Sequence, residues 1–222
     1  MKQIIFCCGL LLLLLFITKA EGGDKFGLAI KGGRNFAKML VKDKKTGETV
    51  NARMVKEPSF LLEAELAFGE HVSYVTGIHY IVHGYSARDI DSVFTFRYFR
   101  RAQYIGLPQK LRVFFHHQRL QSFISAGINV ETLLAARFRA EFDDPSISDG
   151  EADIKVLFNE LTFTPEFDAG LRYPLLGGFL TFDLTYALGT ENVNNADLEG
   201  FATHSRRIRD LRVMFGVSRY VF

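Results

Sequence analysis

Cysteine is nearly absent: of 222 residues only Cys7 and Cys8 carry a thiol, and both lie in the first apolar run. Past that run no disulfide can form, and no thiolate can attack a substrate or hold a metal. Long hydrophobic runs are missing as well. After Ala20 no stretch reaches the ~18 consecutive apolar residues that mark a membrane-spanning helix. Charge of one sign is scarce too: the formal net charge of +2 equals the contribution of Lys2 and Lys19, so the chain from residue 21 onward is balanced. Nothing in that balance favours a nucleic-acid partner.

The first twenty residues read as an export signal. Lys2 supplies a short positive start, residues 4–18 form the apolar stretch, and Thr18-Lys19-Ala20 offers a small residue at the cut. Cleavage is expected after Ala20. The apolar stretch is about 15 residues, short of the ~20 that span a bilayer, and neither cysteine has the setting of a lipid-anchored one. Residues 21–222 then form one domain, a usual length for an all-β barrel.

What this domain has in place of long runs is alternation. In Leu180-Thr181-Phe182-Asp183-Leu184-Thr185-Tyr186-Ala187-Leu188 every even residue is apolar or aromatic and every odd one small, polar or charged. A strand places alternate side chains on opposite faces, so one face meets an apolar medium and the other does not. The same period predicts strands at 26–36, 62–68, 72–84, 104–115, 120–134, 161–173 and 207–222. Eight strands are the smallest usual number for an outer-membrane barrel. The connections alternate in length: short at Gly69-Glu70, at His116-His117-Gln118 and at 174–178, long and polar at 41–57, 85–92, 143–155 and 190–205. With both chain ends in the periplasm, the short turns are periplasmic and the long loops external, as such barrels require. The predicted fold is an all-β, eight-stranded antiparallel up-and-down transmembrane barrel in the outer membrane.

Three local expectations accompany it. Pro108 and Pro165 fall inside strands and are read as bulges or strand ends. The apolar parity of the last strand is blurred, which predicts a bulge there. Phe138 and Phe142 extend the even-numbered apolar stripe of the fifth strand, which then rises above the bilayer as a surface for a partner.

The polar faces collect Lys31, Glu63, Glu65, Lys110, Arg112, Glu131, Glu166, Asp168, Arg172 and Asp183. Pointing inward, they meet an eight-stranded interior about wide enough to be filled by side chains. Mixed signs favour a packed network of ion pairs over an open pore, because buried charges are tolerated when paired. His79 and His83 lie four apart on one face, ~13 Å by strand rise, too far to share one metal. No metal or other cofactor is expected. His204-Ser205 resembles the start of a hydrolase constellation, but neighbours in sequence cannot define a triad. No enzymatic activity is expected. Arg34, Arg97, Arg100, Arg101, Arg137 and Arg139 gather at the outer ends of strands, where they suit anionic lipid headgroups, a partner or plain solvation.

Several segments resemble one family. Phe26-Gly27-Leu28-Ala29-Ile30-Lys31-Gly32-Gly33-Arg34-Asn35-Phe36, Tyr104-Ile105-Gly106-Leu107-Pro108, Ser125-Ala126-Gly127 with Leu133-Leu134-Ala135-Ala136, and Tyr220-Val221-Phe222 are similar, in that order, to the Bacteroidetes outer-membrane barrels called the PorT family. That resemblance implies an eight-stranded, porin-like barrel with outer-membrane lipid around it. It also implies that Tyr220 and Phe222 belong to the signal read by the barrel-insertion machinery. The family's namesake serves secretion, which implies partners in an envelope or secretion assembly. A narrow pore for small solutes and a lipid-modifying enzyme are the alternatives.

Overall fold

The structure is a computed structural model that describes residues 25–43, 53–90, 95–117, 119–144, 146–189 and 204–221. The expected export signal at 1–20 and the terminal Phe222 lie outside these residues. Among the described residues nine strands form: β1 Lys25–Asp43, β2 Val55–Phe68, β3 Val72–Ile90, β4 Thr95–His117, β5 Leu120–Phe142, β6 Gly150–Asp153, β7 Leu161–Leu175, β8 Gly178–Leu188 and β9 His204–Tyr220. Pairing is antiparallel throughout and follows sequence order except that β7 pairs with β5 past β6; β1 pairs with β9, and the circle is complete without the four-residue β6. The wall is thus an eight-stranded up-and-down barrel. β6 continues the line of β7 beyond it, pairing with the upper part of β5.

Alternation is realised inside out. Ile30 is 65% exposed, and Phe60, Leu62, Ile78, Leu111, Ile124, Phe167, Phe215 and Val217 are exposed with it, while the charged positions between them are buried. The short connections all lie at one end. Phe68 pairs with Val72 around Gly69-Glu70-His71, and Leu175 pairs with Gly178 around Leu176-Gly177. His116 and His117, expected in the second turn, close the β4 ladder instead, His117 pairing with Leu120. In the last turn Leu176 has φ 50° and Gly177 φ 78°, the pair of positive values that a type I′ hairpin demands. Leucine has no advantage there and its side chain is 97% exposed. Leu176→Asn is therefore expected to raise the urea midpoint, by about 0.5–1 kcal/mol of stability, a share of the left-handed penalty.

At the other end the strands outrun expectation. β3 and β4 stay paired to Ile90↔Thr95, so the loop expected at 85–92 is largely strand. Ser86-Ala87-Arg88-Asp89 reads as loop because it lacks an apolar outer face, but a strand rising clear of an apolar belt needs none. The loop expected at 143–155 likewise contains β6. His204 and Ser205 are part of β9, opposite Asp43 and Lys42.

Irregularity falls elsewhere than the sequence suggests. β9 keeps one register against β1 and one against β8 along its whole length, so it has no bulge. Its parity is blurred because Met214 is one of the inward residues, alongside Arg212 and Asp210. The shift lies between β4 and β5: Gln103 pairs with Ala135 and Tyr104 with Leu133, leaving Leu134 as the extra residue. Below it the odd residues of β5 face inward; above it the even ones do. Phe138 is consequently turned to the inner side, stacked on Tyr98 at 6.0 Å, and Phe142 packs on Phe96, so neither continues the outer stripe.

Pro108 is neither bulge nor strand end. It pairs with Asn129 on one side and interrupts the β3 ladder on the other, between Thr76↔Gln109 and His79↔Gly106, without changing register. Pro165 is likewise neither: it lies inside β7, pairs with Ile128 of β5 in unbroken register, and stands just past the last β7–β8 pair, Glu166↔Ala187.

Candidate functional site

Among the described residues, buried charged side chains gather in the lumen. Lys31, Glu63, Glu65, Lys110, Arg112, Glu131, Glu166, Asp168, Arg172 and Asp183 are all buried there, and the structure brings them into two layers. Each strand contributes through alternate residues, so the layers are cross-strand sets rather than sequence motifs.

In the layer nearer the short turns, Arg112 donates to Glu63 at 2.9 and 3.1 Å and to Glu65 at 2.7 Å. Lys31 donates to Glu63 at 2.8 Å and to Asp183. Arg172 forks onto both oxygens of Glu65, which also accepts from Tyr220 at 3.1 Å. The guanidinium faces rest on aromatic rings, Arg112 4.3 Å from the Phe123 centroid and Arg172 4.8 Å from that of Phe114. Gly170 makes room for this: a Cβ there would lie 2.3 Å from the Phe123 ring. Bidentate bonds plus ring faces keep these charges paired.

The second layer is built on Glu166 and Glu131. Lys110 reaches Glu166 at 2.6 Å and Asp168 at 2.9 Å, and Ser125 donates to Asp168 at 3.0 Å. Arg212 donates to Glu166 and, at 3.0 Å, to Nδ1 of His79. Asn129 bridges Glu131 and Glu166 at 3.0 and 3.1 Å. His83 lies between Glu131, at 2.9 Å, and Asp210, which also accepts from Asn35 at 3.0 Å. A ring with a carboxylate at each nitrogen donates from both, so His83 is an imidazolium within the network.

Sequence reasoning placed His79 and His83 on a polar face but left out Asn35, Asp210 and Arg212. Asn35 was findable by carrying the parity of Lys31 two steps on. Asp210 and Arg212 were hidden by Met214. Arg100, grouped with the outer arginines, faces inward instead, 5.8 Å from the Tyr98 ring and 5.7 Å from that of Phe138.

Above the charged layers an apolar plug closes the lumen. Tyr85, Ala87, Ala102, Tyr104, Leu133 and Ala136 from the wall pack around Phe158, which is 1% exposed, with Ile154, Leu157 and Tyr98 at the edge. Phe158 comes from the excursion 154–160 between β6 and β7, set opposite the Leu134 bulge and tied down by Leu133 N–H to Glu160 O at 2.8 Å and Ile154 N–H to Ala136 O at 2.9 Å. The Tyr104 hydroxyl is buried beneath the plug with no hydrogen-bond partner among the described residues. Tyr104→Phe is accordingly expected to leave stability unchanged or raise it by about 1 kcal/mol, since it removes an unsatisfied polar atom and keeps the ring. A fall of the unfolding midpoint by more than that would show that a water satisfies the hydroxyl.

The arrangement holds charges in paired sets. Ser59 and His79 are 2.7 Å apart, a spacing that suits nucleophile activation. However, Arg212 donates to Nδ1 of His79, so Nε2 carries the proton and donates to Ser59 rather than accepting from it. Among the described residues no group of three His, Cys, Asp or Glu side chains could hold a metal ion.

No family model matches the chain, and no curated protein matches it either. Solved structures similar to it include Neisserial surface protein A, at 15% identity over 88% of this chain and 99% of that one with a TM-score of 0.46. Others are OprG of Pseudomonas aeruginosa, at 12% identity over 90% and 97% with a TM-score of 0.48, and Ail of Yersinia pestis, at 10% over 86% and 97% with a TM-score of 0.41. The likeness carries no functional inference.

Proposed function

We propose that the chain is a non-enzymatic integral outer-membrane barrel with a closed lumen, acting through its long-loop end on partners in the cell envelope. The observation that carries this reading is the inverted distribution of polarity. Buried charge and exposed Ile, Leu and Phe are opposite to what water selects, and a belt of apolar side chains around a wall with no free edge is what a bilayer selects. β4 and β5 run 23 residues each, about twice the ~9–11 that cross a bilayer. Half of that wall therefore stands outside, on the side of the long connections.

Paired charges and the Phe158 plug favour a supporting interior over a solute path. Purified full-length protein in planar bilayers is expected to give no discrete currents; reproducible single-channel steps would reverse this and install the pore reading. Membrane fractionation is expected to leave the protein with outer-membrane lipid until detergent is added. Membership of the Bacteroidetes PorT-type barrels, insertion through the Tyr220–Phe222 end, periplasmic termini and a place in a secretion-related assembly belong to the same reading. They are supported by the ordered segments in the sequence and by the grouping of the short turns. Gentle solubilisation followed by pull-down is expected to bring down a stoichiometric envelope partner, and recovery of the barrel alone would count against the assembly.

A further inference from the structure

Above the apolar belt the wall carries a band of outward cations, concentrated on β4 and β5. Arg97, Phe99 and Arg101 of β4 face Glu141, Arg139 and Arg137 of β5 in direct cross-strand pairs. The side chains of Arg101, Arg137 and Arg139 are 46, 65 and 52% exposed. β1 and β2 add Arg34 and Lys56, and β9 adds Arg207 and Arg209, all exposed on the outward parity. The opposite end of the barrel runs out in Phe68, Phe115, Leu120, Leu175 and Leu176, with Lys25, Arg119 and Arg219 spaced singly among them.

Arg101 opposite Arg137 is a like-charge pair, which destabilises a sheet unless an anion lies between. The neighbouring carboxylates do not fill that role. Glu57 is 2.7 Å from Nε of Arg101, Glu151 is 3.0 Å from Nη1 of Arg137, and Glu141 and Asp149 are 3.3 and 3.8 Å from Nε and Nη2 of Arg139, so each carboxylate occupies only part of a five-donor fork. The arrangement is made by the Leu134 bulge. With the parity of lower β5, Arg137 and Arg139 would face the lumen; the extra residue turns them out beside Arg97 and Arg101. Leu134, 46% exposed, lies in the outer face just below, next to the Gln103↔Ala135 row.

Resting on the membrane reading above, we propose that Arg101 and Arg137, flanked by Arg97 and Arg139, bind the phosphate groups of anionic lipids in the leaflet at the long-loop end. Continuity with the apolar belt selects a lipid over a soluble anion, because an acyl chain lying along Leu134 brings its headgroup to the arginine row. Confinement to one end of the barrel selects one leaflet.

The test compares wild type, Arg101→Gln/Arg137→Gln and Arg101→Lys/Arg137→Lys, each as the full chain folded into phosphatidylcholine vesicles with and without diphosphoryl lipid A. Lipid retained through detergent extraction is read by native mass spectrometry, and the temperature of unfolding by gel mobility. Wild type is expected to retain lipid A and unfold at a higher temperature in its presence. The glutamine pair is expected to retain roughly tenfold less, and the lysine pair to fall between, since charge survives and the planar fork does not. All three are expected to insert equally into phosphatidylcholine alone. Equal retention by wild type and the glutamine pair overturns the proposal while leaving the membrane reading intact. So does equally strong capture of wild type by soluble inositol hexakisphosphate in lipid-A-free vesicles. Failure of every variant to insert removes the membrane reading itself.

Discussion

Arg112→Leu is expected to lower the stability of the barrel by about 3–5 kcal/mol, the cost of leaving buried charge without its partner. The guanidinium is 1% exposed and bonds both Glu63 and Glu65, while its face covers Phe123. Removing it leaves Glu63 with Lys31 at 2.8 Å and Arg172 at 3.8 Å, and Glu65 with Arg172. The loss is thus larger than one hydrogen bond, because two carboxylates each lose one of their cations in a medium that solvates charge poorly. Urea unfolding in detergent micelles, followed by circular dichroism and heat-modifiable migration, measures it. A double-mutant cycle with Glu63→Leu is expected to recover part of the loss, since removing both members deletes the orphan as well as the bond. If Arg112→Leu alone unfolds within about 1 kcal/mol of wild type, water fills the lumen freely and the closed interior is refuted.

Deletion of Leu134 is expected to be as damaging, by a different route. The bulge is the only register shift between β4 and β5. Without it the upper half of β5 flips, because a one-residue slip exchanges the two faces of a strand. Arg137 and Arg139 would turn in toward Phe158 and Tyr85, while Ala136 and Phe138 would turn out. Burying even one of these guanidiniums unpaired costs several kcal/mol, so the segment is expected to release its pairing instead. Hydrogen exchange should then show the amides of 136–142 and 150–160 unprotected and those of 120–131 as protected as in wild type. Leu134→Ala, which keeps the extra residue, serves as control and is expected to leave the exchange pattern unchanged. Full protection of the upper segment in the deletion would mean that the excess residue has no part in directing the wall.

The alternation in 180–188 and 161–173 suffices to place Asp183, Glu166, Asp168 and Arg172 on one face, and that face is the lumen side. Period two is a property of the strand itself, so it can be read from any one segment. The short turns could be located for the same reason: Gly69 and Gly177, both with positive φ, mark sharp reversals between apolar runs. Where parity is mixed by an apolar residue among polar ones, as with Met214 between Arg212 and Gly216, local reading fails and suggests a bulge that β9 does not have.

The sequence by itself determined the eight strands of the wall, the grouping of the short turns at one end and the sign of each face where parity runs unbroken, because these depend on residues two apart in one chain. Only the tertiary structure decided where the register slips, that Phe138 and Arg100 face inward, that Arg137 comes to lie against Arg101, that Phe158 closes the lumen, and which lumen carboxylate meets which cation. Each of these is a relation between strands distant in sequence. A single strand carries no information about its partner's register, and a slip of one residue at Leu134 is enough to exchange inside for outside above it.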